Sequence, residues 1–501
     1  MSLIKAENIN FSYYSSLAPV FSGLTFTADC SWKTALVGGN GSGKTTLFKI
    51  LCGEERAGGR LVADVRFSRF PFDVSDDETV SDLSATCGEG GGWKFLRELT
   101  LLGLDEDILY RPFGTLSGGE RTKAMLAALF CSENFPLIDE PTDSLDIVGR
   151  RRLAEYLKTK RGYIVASHDR AFLNACTDHT LHLSDGKAEL ICGNYSVWKE
   201  ESDRRAAYNA QKKQRLETEA ERMFAAADRT KVWANRAERE KFGVQKSGLK
   251  ADRGFVSASA ARVMKRSKTA AQRRTEAAEE AKRLASLIPS GAAKLSFPPL
   301  ICRKQCVLSL TNCNVFAGGV RVIEAFSLNA LRGERIALTG ANGCGKSTLL
   351  KAIARAAGGF PENAFDFSCA EADPAPDTGG VVVSYVSQAC EDVRGTPAEY
   401  AAEWKIEEPA FKSMLAKLGF ANTDWNRDMS LLSTGQRKKA ALARSLLTPA
   451  HLYVWDEPFN YLDVTAREAV EEAVLNSSPA IIFVEHDEEF ASRAATKVIK
   501  L

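Results

Sequence analysis

Several short motifs occur twice in this 501-residue sequence, in the same order and at nearly the same spacing. In each half, a glycine-containing segment with a characteristic serine is followed by a glutamate. The glutamate comes 23 residues after the serine in the first half and 24 residues after it in the second. A histidine then follows that glutamate after 28 and 29 residues, respectively. These positions are Ser117, Glu140 and His168 in the first half and Ser433, Glu457 and His486 in the second. The matching order and spacing indicate an internal duplication, so we expect two similar modules.

Each module opens with a glycine-rich loop between a short apolar strand and a helical run. In the first module, the strand Ala35–Val37 runs into Gly-Gly-Asn-Gly-Ser-Gly-Lys-Thr at positions 38–45. This is a complete phosphate-loop pattern in its required context. The backbone N–H groups of such a loop converge on phosphates, Lys44 adds a charge at the β and γ positions, and the Thr45 hydroxyl is a Mg²⁺ ligand. The nucleotide-binding residues predicted from the two loops are Gly38, Asn40, Gly41, Gly43, Lys44, Thr45 and Thr46, and Gly340, Asn342, Gly343, Gly345, Lys346, Ser347 and Thr348.

A pair of carboxylates follows a second apolar strand in each module. Asp139 ends such a strand beside the phosphate loop, where a Mg²⁺ ligand is needed, and the adjacent Glu140 is placed to polarise an attacking water. Asp456 and Glu457 repeat this arrangement in the second module. A histidine at the end of another apolar strand completes each set. The predicted catalytic residues are therefore Glu140, His168, Glu457 and His486, and the metal ligands are Thr45, Asp139, Ser347 and Asp456.

A long polar segment, 199–290, separates the two modules. Its flanks are rich in Ala, Arg, Lys, Glu and Gln and lack Pro and Gly, a composition that favours helix. We therefore predict helices over about 196–240 and 257–287. The middle, 229–274, carries a net charge of +11 although the whole chain carries only +2, and aromatic residues are interleaved with the basic ones near its tip. This mixture indicates contact with RNA. The alternative is a coiled-coil spacer whose charged faces are simply solvated.

Together these motifs resemble those of the ATP-binding cassette superfamily. The counterparts are Walker A, the signature at 116–120 and 432–436, Walker B, a D-loop aspartate (Asp146 and Asp463) and the switch histidine. The resemblance implies an α/β fold with two P-loop NTPase domains joined by a helical hairpin: a first cassette at 1–198, the hairpin at 199–290 and a second cassette at 291–501. It also implies an ATP hydrolase that uses ATP and Mg²⁺.

In that superfamily, two cassettes meet head to tail and each ATP lies between the Walker motifs of one and the signature of the other. The resemblance implies that site one joins Lys44, Asp139, Glu140 and His168 with Ser433 and Gly435. Site two would join Lys346, Asp456, Glu457 and His486 with Ser117 and Gly119. Adenine would stack on Tyr13 in the first cassette and on Phe316 in the second.

The second cassette keeps the family's Q-loop glutamine as Gln388. The resemblance implies that this residue ligates Mg²⁺ and orients the attacking water. Alignment of the first cassette places Phe70 at that position, and its D-loop has Asp143 and Ser144 where the family usually has Asn and His. A phenylalanine neither ligates Mg²⁺ nor orients water. We therefore hypothesise that site one hydrolyses ATP more slowly than site two.

Twin cassettes, a long charged helical linker and no apolar run long enough to span a membrane resemble the ABC-F family. Its members act on ribosomes by inserting the hairpin at the tRNA exit site towards the peptidyl-transferase centre. Segments 233–236, 264–268 and 457–463 resemble the branch that protects bacterial ribosomes from lincosamides, streptogramin A compounds and pleuromutilins.

The resemblance implies the ribosome as partner, with rRNA and exit-site or peptidyl tRNA bound through 199–290. It further implies a cytoplasmic monomer with intramolecular pairing of the cassettes and no membrane partner. The 12 scattered cysteines suit reduced thiols in the cytosol. Three alternatives stay open: a housekeeping ABC-F translation factor, the ATPase subunit of a transporter, and a nucleic-acid remodeller that does not act on ribosomes.

Overall fold

The computed structural model describes residues 2–13, 19–87, 91–184, 186–240, 253–287, 295, 297, 299–341, 343–361, 364–420, 427–460, 462–485 and 487–501. The chain divides into two compact units. One unit contains Met1–Trp198 together with Lys294–Leu501, and the other is Lys199–Ala293. Both cassettes thus belong to a single unit, while the polar segment between them forms its own.

The first cassette has a six-stranded sheet and a smaller three-stranded antiparallel sheet. Its strands are β1 Leu3–Phe11, β2 Phe21–Asp29, β3 Lys33–Gly38, β4 Gly58–Ala63, β5 Phe67–Phe70, β6 Phe135–Asp139, β7 Tyr163–Ala166, β8 His179–Ser184 and β9 Lys187–Cys192. Its helices are α1 Lys44–Cys52, α2 Gly92–Leu102, α3 Gly118–Cys131, α4 Ile147–Thr159 and α5 Arg170–Cys176. The large sheet has the order β5-β6-β7-β3-β8-β9 and is parallel except for the β8–β9 pair, and the small one has the order β2-β1-β4.

The apolar runs of the central strands arise because both faces of the large sheet are buried. Alternate residues point to opposite faces of a strand. Ala35 and Val165 belong to the core on one face, whereas Leu36 and Ile164 belong to the core on the other. A parallel strand covered on both sides therefore reads as a continuous apolar segment rather than an alternating one.

The polar unit contains the two helices predicted from composition, α6 Tyr195–Glu240 and α7 Arg253–Leu287. They run antiparallel, since Arg274 donates to Thr230 Oγ1 (2.8 Å) and the Lys282 ammonium lies 4.9 Å from the ring centre of Phe224. Small side chains let the two helices approach closely, because the buried core between them includes Ala220. The predicted tip aromatics Trp233, Phe242 and Phe255 lie outside the described side chains.

The second cassette repeats the first, and its described residues form a large sheet of five strands. Its strands are β10 Cys306–Ala317, β11 Val320–Leu331, β12 Arg335–Thr339, β13 Ala370–Asp373, β14 Val383–Val386, β15 Leu452–Asp456, β16 Ile481–Val484 and β17 Lys497–Lys500. Its helices are α8 Lys346–Ala357, α9 Pro397–Glu403, α10 Glu408–Lys417, α11 Thr434–Leu447, α12 Val464–Ser477 and α13 Glu488–Ala494. The large sheet is parallel throughout, in the order β14-β15-β16-β12-β17, and the small one has the order β11-β10-β13. The predicted α/β architecture with two cassettes is confirmed.

Two general expectations can be compared with this fold. Among the described residues, no helix is both long enough and apolar enough to cross a membrane. Ten of the described cysteines are free thiols, as expected. Cys131 departs from the expectation of reduced thiols, because it is disulfide-bonded.

Candidate functional site

The two phosphate loops have the same backbone geometry. Gly41 and Gly43 adopt left-handed φ angles of 82° and 94°, and Gly343 and Gly345 adopt 82° and 96°. A side chain at Gly43 would be strained by that φ and would also meet the ring of Phe21 at 2.7 Å. Glycine is therefore required for the loop to turn tightly in front of the helix that follows.

Each loop wraps around the lysine that begins the next helix. The Lys44 ammonium donates to the carbonyl of Gly38 (2.8 Å), and the Lys346 ammonium donates to that of Gly340 (2.9 Å). Burial lowers the pKa of Lys44, and Glu140 is the first of the charges that oppose this shift. The lysines are thus held where a nucleotide phosphate would meet them, at the positive end of a helix dipole.

The residues predicted to hold Mg²⁺ lie together in both cassettes. Thr45 Oγ1 donates to Asp139 Oδ2 (2.7 Å), and Ser347 Oγ donates to Asp456 Oδ1 (3.1 Å). Burial raises the pKa of Asp139, and it raises that of Asp456 to about 6. Oδ2 of Asp456 is buried and accepts no hydrogen bond from the described part of the chain. A hydroxyl beside a carboxylate with a free oxygen is a donor set that suits a hard cation such as Mg²⁺.

The glutamates that follow these aspartates share an unusual backbone. Glu140 and Glu457 have φ angles of 49° and 47°, a left-handed conformation that residues other than glycine rarely adopt. The backbone N–H of each donates to the neighbouring parallel strand at 2.9 Å, to Ala166 and to Val484, respectively. Such strain persists only where the surrounding structure fixes it, and it is found preferentially at functional sites.

The Glu457 carboxylate is held by two side-chain amides of its own cassette. Gln388 Nε2 lies 2.7 Å and Asn460 Nδ2 lies 2.5 Å from Oε2 of Glu457. Both groups are donors, so they stabilise the charged carboxylate and fix its direction. Asn460 had no assigned role in the sequence prediction. Its position within the Walker B extension was the signal that could have identified it.

Glu140 has different neighbours. Oε2 accepts from the backbone N–H of His168 (3.1 Å), and the His168 imidazole lies 3.4 Å from Oε1. Burial and then the nearby Asp143 raise the pKa of Glu140 to about 8. Burial and then Lys44 lower the pKa of His168, so the imidazole is neutral. Asp143 occupies the place that Asn460 has in the second cassette, so an amide donor is replaced by a like charge.

Strand register corrects the position of the first cassette's Q-loop. Phe70 pairs with Ile138, the residue before Asp139, and is buried in the core. In the second cassette the residue at that register position is Val386, two residues before Gln388. The assignment of Phe70 is therefore wrong by two residues, and the counterpart of Gln388 is Phe72. An aromatic side chain still stands where the second cassette has an amide.

The D-loop aspartate of the second cassette reaches the phosphate loop of the first. Asp463 Oδ2 accepts from the backbone N–H of Asn40 (3.2 Å) and from Lys439 Nζ (2.8 Å). Although burial acts in the opposite direction, Lys439 and neighbouring N–H donors lower the pKa of Asp463 to about 2. Arg467, on the following helix, donates to the carbonyl of His168 (2.9 Å). Site one is thus lined by residues of both cassettes.

The signature residues lie at helix N-termini. Ser117 and Ser433 each cap a helix with a hydrogen-bonded capping box, before α3 and α11, and both are exposed. Asp146, the counterpart of Asp463, is exposed and caps α4 of its own cassette. The two nucleotide sites are therefore not equivalent in this structure. Gly119 and Gly435 lie in the first turns of α3 and α11.

The two aromatics predicted to stack on adenine are not equivalent positions. Tyr13 donates to or accepts from Thr46 Oγ1 (3.0 Å), which places it against the phosphate-loop helix. Asn8 and Asn312 both have φ 52° in the matching strands, and this match aligns Tyr13 with Ala317 and Phe316 with Ser12. The roles of Asn342 and His486 remain predictions, because both residues lie outside the described part of the chain.

Comparison with known proteins gives consistent matches. A sequence profile described as ABC transporter matches residues 21–143 and 323–460. The chain is 26% identical to ABC transporter F family member 5 of Arabidopsis thaliana, over 99% of this chain and 75% of that protein. It is 28% identical to the erythromycin resistance ATP-binding protein MsrA of Staphylococcus epidermidis, over 93% of this chain and 91% of that protein.

The fold also resembles a solved structure. That structure is the complex of the archaeal ribosomal stalk protein aP1 with the archaeal ribosome recycling factor aABCE1. The TM-score is 0.60 at 20% sequence identity, and the match covers 98% of this chain and 87% of that one. At this identity the likeness concerns the fold alone.

Proposed function

We propose, from the premise that the chain belongs to the ATP-binding cassette family and is an ABC-F protein with twin cassettes, that it acts on the ribosome. ATP hydrolysis is the activity of its cassette domains. In the proposed cycle, the protein binds the ribosome while ATP is bound and leaves after hydrolysis. The hairpin 199–290 enters the tRNA exit region and contacts rRNA and tRNA phosphates.

The residues of site two account for hydrolysis. Bound Mg²⁺ would neutralise charge on the β- and γ-phosphates, and Ser347, Asp456 and Gln388 would hold it. Lys346 would bind the γ-phosphate, and Glu457 would orient the attacking water and accept its proton. The amides of Gln388 and Asn460 both donate to Oε2 of Glu457, which would leave Oε1 to accept from the water.

Site one lacks several of these groups, which supports the hypothesis of slower hydrolysis there. Phe72 replaces the Q-loop glutamine, and Asp143 replaces the amide of Asn460. Residues of the second cassette nevertheless contact its phosphate loop and its switch residue. Site one would thus hold ATP between the cassettes while site two carries most of the turnover.

The observation that best supports the ribosome as partner is the charge of the hairpin. A net charge of +11 over 229–274, in a chain of +2, suits a polyanion. Among relatives, MsrA is named for erythromycin resistance. We therefore propose drug resistance by protection of the ribosome, with a housekeeping role in translation as the alternative.

Co-sedimentation of the Glu140→Gln, Glu457→Gln double variant with ribosomes tests this function. We expect association with ATP and little without it, because hydrolysis no longer releases the closed state. Affinity should fall steeply with salt, by roughly 10³-fold or more between 50 and 200 mM if six or more phosphates are contacted. No association under any condition would rule out the ribosome as partner.

A matched pair of hairpin variants tests which surface binds. Replacing the exposed Lys265, Arg266 and Lys268 by glutamine removes three charges from the basic middle. The control replaces Lys212, Lys213 and Arg215, which lie on α6 outside it. The first set should weaken ribosome binding more than the control does. Equal effects would indicate a non-specific contribution of charge.

Expression in a drug-sensitive host would separate drug protection from a housekeeping role in translation.

A further inference from the structure

Lys438 is a fully buried lysine that the sequence motifs do not assign. It lies in the second turn of α11, five residues after the signature Ser433, and is 1% exposed. None of the described carboxylates lies within ion-pair distance of its ammonium. A buried charge without an ion-pair partner is costly unless hydrogen bonds satisfy it. An apolar side chain of similar length would pack here without the cost of burying a charge. Packing therefore does not explain why this position is a lysine.

The Lys438 ammonium uses all three of its donors on backbone carbonyls. The acceptors are the carbonyls of Ser387 (3.0 Å), Gln388 (3.4 Å) and Asp456 (3.0 Å). These carbonyls lie just beyond the end of β14 and at the end of β15, two neighbouring parallel strands. One side chain therefore ties the Q-loop to the end of the Walker B strand.

The residues so tied provide the polar side chains of site two. Gln388 donates to Glu457, and Glu457 directly follows Asp456. Whether this hydrogen bond forms depends on the distance between the Q-loop and the end of β15. Lys438 holds the two together, because its ammonium donates to carbonyls of both.

The described residues of the first cassette show no such link. The fifth residue after its signature Ser117 is Thr122, whose hydroxyl lies 2.6 Å from that of Ser144 in the D-loop. A threonine is too short to span the same two loops, and Phe72 would offer no amide to be positioned. The lysine and the Q-loop glutamine thus occur together in one cassette and are both missing from the other.

We infer that Lys438 is a positioning residue for ATP hydrolysis at site two, holding Gln388 and Glu457 in register and linking them to the signature helix. The inference rests on the proposed assignment of Glu457 as the activating residue. Because Ser433 caps the same helix, any shift of the signature would be transmitted to the Q-loop through Lys438. Hydrolysis at site two would then respond to closure of the cassettes around site one.

The test measures ATP hydrolysis by Lys438→Met in two backgrounds. In Glu140→Gln, where site two provides the activity, we expect kcat to fall at least tenfold while KM changes less than twofold. In Glu457→Gln, the residual rate should change less than twofold. Lys438→Gln, which keeps two N–H donors, should lie between wild type and Lys438→Met. Lys412→Met, at a half-buried lysine of α10 that pairs with Glu408 in the same cassette, is the control for removal of a lysine.

Equal losses in the two backgrounds would overturn the inference, since they would indicate a general loss of structure. A kcat within twofold of the parent in the Glu140→Gln background would overturn it as well. If Lys438→Met does not fold, Lys438→Gln is compared in the same two backgrounds and judged by the same criterion. A Glu457→Gln variant that hydrolyses ATP at the wild-type rate would instead overturn the assignment of site two, and the role of Lys438 with it.

Discussion

The Glu457→Gln variant is expected to hydrolyse ATP at least about 10²-fold more slowly than the wild type, the scale of a lost general base. Glu140→Gln is expected to lower the rate no more than about threefold. The reason is the difference in their surroundings. Glu457 is fixed by the amides of Gln388 and Asn460, whereas Glu140 faces a second carboxylate, Asp143, and no glutamine. Only the first arrangement surrounds the base with amide donors, which favour its charged form and fix its direction.

Phosphate release by the purified variants measures this difference. Nucleotide binding by each variant is the control, because glutamine is nearly isosteric with glutamate and should leave ATP affinity intact. The double variant sets the background rate. Equal losses from the two single variants would contradict the asymmetry between the sites. Both sites would then have to hydrolyse ATP in each cycle despite their different residues.

The sequence predicted those parts of the site whose geometry is fixed locally. A phosphate loop needs its glycines, its lysine and its hydroxyl within eight consecutive positions, so the pattern alone identified the two loops that the structure shows wrapped around Lys44 and Lys346. The pairing of Thr45 with Asp139 also followed, because the carboxyl ends of parallel strands meet at one edge of a sheet. The long helices of the hairpin were predictable for the same reason, since composition determines them over many residues.

The errors and omissions concern contacts between distant segments. Phe70 was placed two residues away from the true Q-loop position because strand register depends on the partner strand, which no local pattern specifies. Lys438 looked like one more basic residue of an amphipathic helix. Its acceptors lie about fifty residues before it and eighteen after it in the chain. The contacts of Arg467 and Asp463 with the first cassette likewise join segments that lie far apart in the chain, so no local pattern predicts them.

The largest expected loss of stability is that of Arg170→Met, at the boundary between the cassettes. The Arg170 guanidinium is 3% exposed and lies among four acidic residues of the second cassette. The nearest oxygens belong to Glu471 (3.0 Å) and Asp487 (3.4 Å), and both side chains are buried. Methionine keeps most of the volume but removes the buried cation that these two carboxylates share. Breaking a buried ion pair in this way costs roughly 3–5 kcal/mol.

Urea unfolding followed by tryptophan fluorescence measures this cost as a shift of the midpoint. Arg493→Met is the matched control, because Arg493 also pairs with Glu471 (2.7 Å) but its side chain is 54% exposed. Exposed pairs contribute about 1 kcal/mol or less, so the control should shift the midpoint little. Adding Glu471→Gln to Arg170→Met should recover part of the loss, since one unpaired charge is removed. Similar shifts for Arg170→Met and Arg493→Met would show that water reaches the cluster. The cassette boundary would then be held by its apolar contacts rather than by these charges.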